Sequence, residues 1–281
     1  MSENEIEVPH ELDGIQFHLA QPDNLDFVRE YGRVFRVFDD HDSGNISFGV
    51  DNGLQRRFIK LAGARTTLAG IPPHLAVENL RRAERIYTDI AHPHIVTYLE
   101  SIQHAPYFGL VFDWVEGDIL RRVNHETFSR FRALSVEERL DAMNTVIDVI
   151  QHVHNSGYVA VDVYDASFLY DFDRRHLTIC DADVYQRKPM TNTMGRMWGS
   201  SRFMSPEEYE LGATIDEVTN VYMLGAVCFL FFGDERDREL YSWDAGHERF
   251  RIASRAMSDK RESRYQSIAE FAEAWRNTTY E

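Results

Sequence analysis

The sequence predicts an α+β fold in two parts, an N-terminal antiparallel β unit with one main helix and a mostly helical C-terminal unit. Three observations carry this. From Gly32 to Gly63 apolar and polar residues alternate between turn signals. Residues 73–91 then switch to helical spacing. From Ser135 onward long helical patterns dominate, interrupted by one short hairpin.

The elements follow in order. GRVFRVF ends in the polar cluster DDHDSG, NISFGV ends in DNG, and RRFIKLAG follows, giving three antiparallel strands. Asn52-Gly53 marks the second turn, because both residues tolerate positive φ. Leu75, Leu80, Ala83, Ile86, Tyr87 and Ile90 form one helical face, closed by His92-Pro93. Two more strands are expected near 95–103 and 107–114, so residues 1–115 make the first part of a single domain. After a connector near 113–118, residues 116–281 make the second. Ser135 and Glu138 form a capping box for a helix that ends at Asn155-Ser156-Gly157. The strands SFLYDF and HLTIC flank Asp173-Arg174-Arg175, and after an irregular stretch, 183–206, helices are expected over 215–232, 246–257 and 267–277.

Composition narrows the class of protein. With 43% apolar and 12% aromatic residues in 281, the chain can bury a real core. A net charge of −16 opposes nucleic acid and anionic membrane surfaces as general partners. The apolar run Val221–Phe232 is too short to span a bilayer and reads as a buried helix. The acidic start MSENEIEVPHELDG has no apolar signal-peptide core, so a cytoplasmic location is expected. Cys180 and Cys228 lie in apolar runs and read as buried free thiols.

A series of motifs stands in fixed order along the chain. Phe58-Ile59-Lys60 closes the third strand and resembles V-A-I-K; AHPHIVTYLE resembles the approach to the fourth strand; LVFDWVEGDIL resembles the hinge. HNSGYVAVDVYDASFLYDF resembles H-x-x-G-x-x-H-R-D-x-x-x-x-N, and Cys180-Asp181-Ala182-Asp183 stands in place of D-F-G. GSSRFMSPEEYELGATIDEVTNVYMLGAVCFL resembles G-T-x-x-Y-M-A-P-E followed by the apolar F-helix, and Arg264 matches the arginine that pairs with the A-P-E glutamate, here Glu207.

Together these motifs resemble the protein kinase superfamily, in a divergent form similar to bacterial Ser/Thr kinases, and the resemblance implies ATP and Mg²⁺ as cofactors and a protein as substrate. It makes Asp162 the catalytic aspartate, Lys60 the contact to the α- and β-phosphates and Asp181 the Mg²⁺ ligand, with Ser167 in place of the second metal-binding residue. Nucleotide contacts fall to Gly44, Ile46, Phe58, Lys60, Glu84, Asp113 and Val115. Asp113 and Val115 would offer backbone groups to adenine, with Phe112 as gatekeeper.

Several positions depart from the pattern. The phosphate loop is poor in glycine, with Asp39 and His41 at the first two glycine positions if Gly44 is the last. Acidic side chains there would repel phosphates. Ala83 falls at the C-helix ion-pair position, so Glu84 reaches Lys60 only if the helix end is shortened. Val161 replaces the arginine beside the catalytic aspartate, Tyr164 a lysine and Asn220 the F-helix aspartate. Ala160 and Ala182 truncate an internal column that a neighbour such as Tyr87 is expected to fill. Thr191, Thr193, Ser200 and Ser201 are candidate phosphosites by position alone. An active ATP- and Mg²⁺-dependent Ser/Thr protein kinase is the first expectation. A pseudokinase serving as a nucleotide-binding or scaffold module is the second, and a small-molecule kinase the third.

Overall fold

In the computed structural model, which describes residues 7–40, 42–234 and 236–278, the alternating N-terminal segments form one antiparallel sheet. His41 therefore lies outside the described residues. A hairpin of β1 (Val8–Leu12) and β2 (Ile15–Leu19) comes first, then a 3₁₀ turn, Asp26–Tyr31. β3 (Arg33–Phe38), β4 (Asn45–Asp51) and β5 (Arg56–Ala62) follow, then helix α1 (Pro73–Asp89), β6 (Tyr98–His104) and β7 (Tyr107–Asp113). The five-stranded sheet has the order β3-β4-β5-β7-β6.

Its two faces are distinct because side chains alternate along each strand. One face presents Ile46, Phe48, Val50, Ile59 and Leu61, all buried, to Leu12, Phe17, Leu19, Leu25 and Val28 of the preceding segment. The other carries Lys60, which pairs across the sheet with Ser47 and Leu110. Residues 8–31, in which no strand was expected, thus seal one side of the sheet. The alternation of Ile15, Phe17 and Leu19 with polar residues is the signal that could have found them.

The chain divides into two compact units, the first running to Ala91 and including Val96–Val115, the second comprising His92–Ile95 and the chain from Glu116 on. His92–Ile95 belongs to the second because Ile179 N–H donates to His94 O at 2.8 Å and Ile95 bridges Ile179. In this unit β8 (Asp118–Ile119) joins β10 (Phe168–Asp171), which pairs with β11 (His176–Ile179). Helix α2 (His125–Arg132) went unpredicted because its eight residues bury only Thr127 and Phe131. Helix α3 (Val136–Asn155) starts at the expected capping box, with Glu138 N–H donating to Ser135 Oγ at 3.2 Å.

β9 (Tyr158–Val159) pairs with β12 (Gln186–Arg187), and β13 (Met190–Thr191) with β14 (Thr214–Ile215). Helices α4 (Glu217–Phe232), α5 (His247–Ala256) and α6 (Ile268–Arg276) complete the chain. Every residue of α4 from Val218 to Phe232 is buried, so it is the core helix its composition suggested. Gly225 is required there: a Cβ would lie 3.0 Å from Ala253 O and from Ala256 Cβ of α5. Of the cysteines, Cys228 is buried and Cys180 only partly so.

Candidate active site

In the second unit, α4 shapes the loop after β9. Asn220, 1% exposed, accepts from Ala160 N–H at 3.0 Å and donates to Ala160 O at 2.5 Å. An amide can do both, whereas an ionised aspartate accepts but cannot donate. The loop then turns through Asp162, whose φ is +56°, and Asp181 in the facing loop has φ +63°. Left-handed backbone at non-glycine residues is uncommon and gathers at functional sites.

The two loops are tied together. Ser167 O accepts from Cys180 N–H at 2.9 Å, and Ser167 Oγ accepts from Tyr164 N–H at 3.2 Å. Ser167 is 1% exposed, so its hydroxyl lies inside the loop. Asp162 and Asp181 converge: burial raises the Tyr164 and Tyr185 phenols above their usual range, and both carboxylates push each of them further up. Beside Asp162 lies a cavity of about 10 Å³, lined among others by Ala160, Ser200, Glu208, Thr219 and Asn220. That is room for about one water. The segment end comes close here too, since a Cβ on Gly199 (φ +141°) would lie 3.5 Å from Asp162 Oδ1.

Tyr185, 2% exposed, is the large side chain packed into this neighbourhood, its N–H donating to Ala182 O at 3.2 Å. Tyr87, expected in that role, stacks edge-on against Phe112 at 4.8 Å within the first unit.

The first unit holds the remaining candidates. Phe58 sits between Phe38 and Phe112, with ring centroids 5.8 and 6.4 Å away. Glu84 accepts from Tyr98 OH at 2.7 Å, and Ala83 is fully buried. Burial and that bond push the Tyr98 phenol up to about 12. Asp113 N–H is engaged by Thr97 O at 3.0 Å, which leaves its carbonyl as the group it could offer a base; Val115 ends the unit.

One assignment needs correction. Ile46 pairs with Leu61 and belongs to the core on the face opposite Lys60. The β4 residue beside Lys60 is Ser47, and a one-residue slip moves a strand residue to the other face. Asn45 and Ser47 share the lysine face, are 6% and 0% exposed, and carry Oδ1 and Oγ atoms without hydrogen-bond partners. Gly44 and Asp42 lie toward the helix side: a Cβ on Gly44 would meet Ala76 Cβ at 3.2 Å, and Gly70 N–H donates to Asp42 O at 3.0 Å. Asp39 is held by His18 N–H at 2.8 Å.

Three residues around the site were not foreseen as part of it: Tyr185, Glu208 and Asp165. A tyrosine, a second glutamate and a second aspartate carry no spacing signal of their own. Only the fold shows that they are buried.

The protein kinase domain family matches residues 72–271, more than half of the chain, and the chain belongs to that family. It is 22% identical over 140 residues to serine/threonine-protein kinase 1 of African swine fever virus, covering 50% of this chain and 46% of that one. It is 24% identical over 156 residues to the serine/threonine-protein kinase PrkC of Bacillus subtilis, covering 54% and 23%. It is 24% identical over 132 residues to the phosphorylase b kinase gamma catalytic chain of Bos taurus, covering 46% and 31%. The matched stretch spans less than half the length of each of these relatives. The two-lobed α+β kinase fold is thus established for the chain.

Proposed function

We propose that this chain is an ATP- and Mg²⁺-dependent kinase that phosphorylates Ser/Thr hydroxyls of a protein. The observation that carries the reading is the convergence of Asp162 and Asp181, each at positive φ, in loops tied together through Ser167. The Ser/Thr specificity follows the names of the relatives.

The residues suit the cofactors. Asp181 and Asp162 offer hard carboxylate oxygens of the kind Mg²⁺ takes. Bound Mg²⁺ would supply charge neutralisation at the phosphate oxygens. Asp162 orients the acceptor hydroxyl and takes its proton. Asp181 would hold the metal, Lys60 would hold the phosphates, and Phe58 would offer a ring face to the base. The buried Ser167 hydroxyl shapes the loop, and its reach toward a metal is correspondingly short.

Asp162→Asn should cut phosphoryl transfer to a generic protein substrate by about 100-fold or more while leaving the melting temperature near wild type. Unchanged transfer would refute the assignment.

A scaffold reading draws on the loop between Asp39 and Gly44, which packs on residues near α1 and carries Asp39, Asp40 and Asp42. Mg²⁺-ATP separates the two readings. At a concentration about 100 times its dissociation constant, a ligand of the native state adds about 2.7 kcal/mol of stability. A kinase should melt measurably higher in millimolar Mg²⁺-ATP; no shift would favour the scaffold.

A further inference from the structure

Four imidazoles of the second unit stand in one row. Between ring centroids, His152 on α3 lies 4.9 Å from His92, His92 lies 5.8 Å from His94, and His94 stacks on His176 of β11 at 4.3 Å. His92 and His94 belong to the short stretch His92–Ile95, which joins the second unit while the chain on both sides of it belongs to the first. The row therefore grips that stretch from α3 at one end and from β11 at the other. Beside it, Ile179 N–H donates to His94 O, and Ile95 bridges Ile179.

The hydrogen bonds fix where the protons sit. His94 Nδ1 lies 2.7 Å from Leu177 O and, facing a carbonyl, carries a hydrogen. His92 Nδ1 accepts from His94 N–H at 3.2 Å, so neutral His92 keeps its hydrogen on Nε2. A second proton on His92 has only Nδ1 to go to, and it would break that bond. A charged His152 must carry a hydrogen on Nε2, which is buried and has no hydrogen-bond partner among the described residues. The acids within reach are already engaged: Asp148 on α3 pairs with Arg276 at 2.7 Å, and Asp171 at the end of β10 lies 3.7 Å from Arg174. Burial lowers the pKa of His92, and His152 and His94 lower it further against the pull of Asp148. Burial and His94 lower that of His176 against the Pro93 backbone and Asp171, with Arg174 lowering it too. These two histidines hold protons less firmly folded than unfolded. The stability that follows is complete above about pH 6.5, their ordinary value, and is lost as pH falls through the lowered ones.

We propose that this row is a proton-operated catch that fastens His92–Ile95 to β11 while neutral and releases it when more than one ring is charged. Release opens the bond from Ile179 N–H to His94 O and the bridge between Ile95 and Ile179. The proposal goes beyond the kinase reading and does not depend on it.

Hydrogen exchange at the Ile179 amide of the full chain tests it, followed by NMR from about pH 7.5 to about 5.5 and corrected for the intrinsic pH dependence of exchange. Protection should fall about tenfold across that range, because like charges in the row favour local opening. Replacing the two end rings, His152→Phe with His176→Phe, keeps aromatic contact and removes two sites of charge. The fall should then shrink to about twofold or less. If that variant does not fold, the imidazole titrations of wild type decide. His92 and His176 should titrate below about 6.5, over a wider pH range than independent groups. The proposal is overturned by constant Ile179 protection in wild type, or by a fall as large in the double variant. It is equally overturned by four rings that titrate independently near 6.5.

Discussion

Glu208 illustrates what burial does to a single side chain. It is 5% exposed, and its Oε2 accepts from Ser205 N–H at 2.6 Å and Ser205 Oγ–H at 2.9 Å. Burial pushes its pKa up to about 7 against a partial offset from those bonds, and the charges of Glu207 and Asp162 add to the rise. A free glutamate loses its proton near 4.5, so the folded state holds the proton longer than the unfolded one. The stability tied to that proton is fully present below about pH 4.5 and lost as pH climbs through about 7. Its size is about 3 kcal/mol. Glu208→Gln, which has no proton to lose, should gain stability relative to wild type between about pH 4.5 and 8. Urea denaturation at both ends of that range measures it, and parallel curves would contradict it. His154 shows the converse case, a histidine whose pKa is lowered by burial despite Glu217 at 3.3 Å, leaving its Nε2 to pair with Lys188 Nζ at 2.7 Å.

At the level of elements, α4 and its partners govern the second unit. Glu207 receives Arg264 through both carboxylate oxygens, at 2.7 and 3.0 Å, and Arg261 at 2.8 Å. The pairing with Arg264 was legible in the sequence; Arg261 was not, because it lies on an irregular turn with no pattern to register it. Gly225 lets α5 approach α4. Gly225→Ala improves helix propensity by about 1 kcal/mol, yet its methyl must fit 3.0 Å from a backbone carbonyl that cannot rotate away. Overpacking of this kind costs about 1–3 kcal/mol, so the variant should melt below wild type. A higher melting temperature would mean that the helices separate without penalty.

For the molecule as a whole, the family match begins at residue 72, yet three of the five strands of the first unit's sheet, β3, β4 and β5, precede it. Those strands depend on residues 8–31 for a covered face. Phe17, 2% exposed, is at the centre of that cover, its ring 6.2 Å from Phe48. Phe17→Ala should cost about 3–5 kcal/mol in chemical denaturation, whereas truncation of the exposed Gln16 beside it should change little. Equal effects at the two positions would show that the hairpin does not belong to the core. Among the described residues no helix is long and apolar enough to cross a membrane.

Local pattern determined the fold class, the three strands around Asn52-Gly53, the capped helix from Ser135 and the buried helix after Glu217, while the resemblance of the motifs singled out Lys60, Asp162 and Asp181 as candidates. These are short-range signals of period, turn and cap, and they survive without tertiary context. Tertiary structure decided the rest. It turned Ile46 away from Lys60 and put Ser47 there, because strand register is a property of a pair. Glu84 met Tyr98, and Tyr185 proved to be buried close to both carboxylates. Asp165, an unmarked acid in a loop, became a buried charge held by Arg202. In each case the deciding quantity was burial or cross-strand pairing, which arises between segments distant in the chain and leaves no trace in either one.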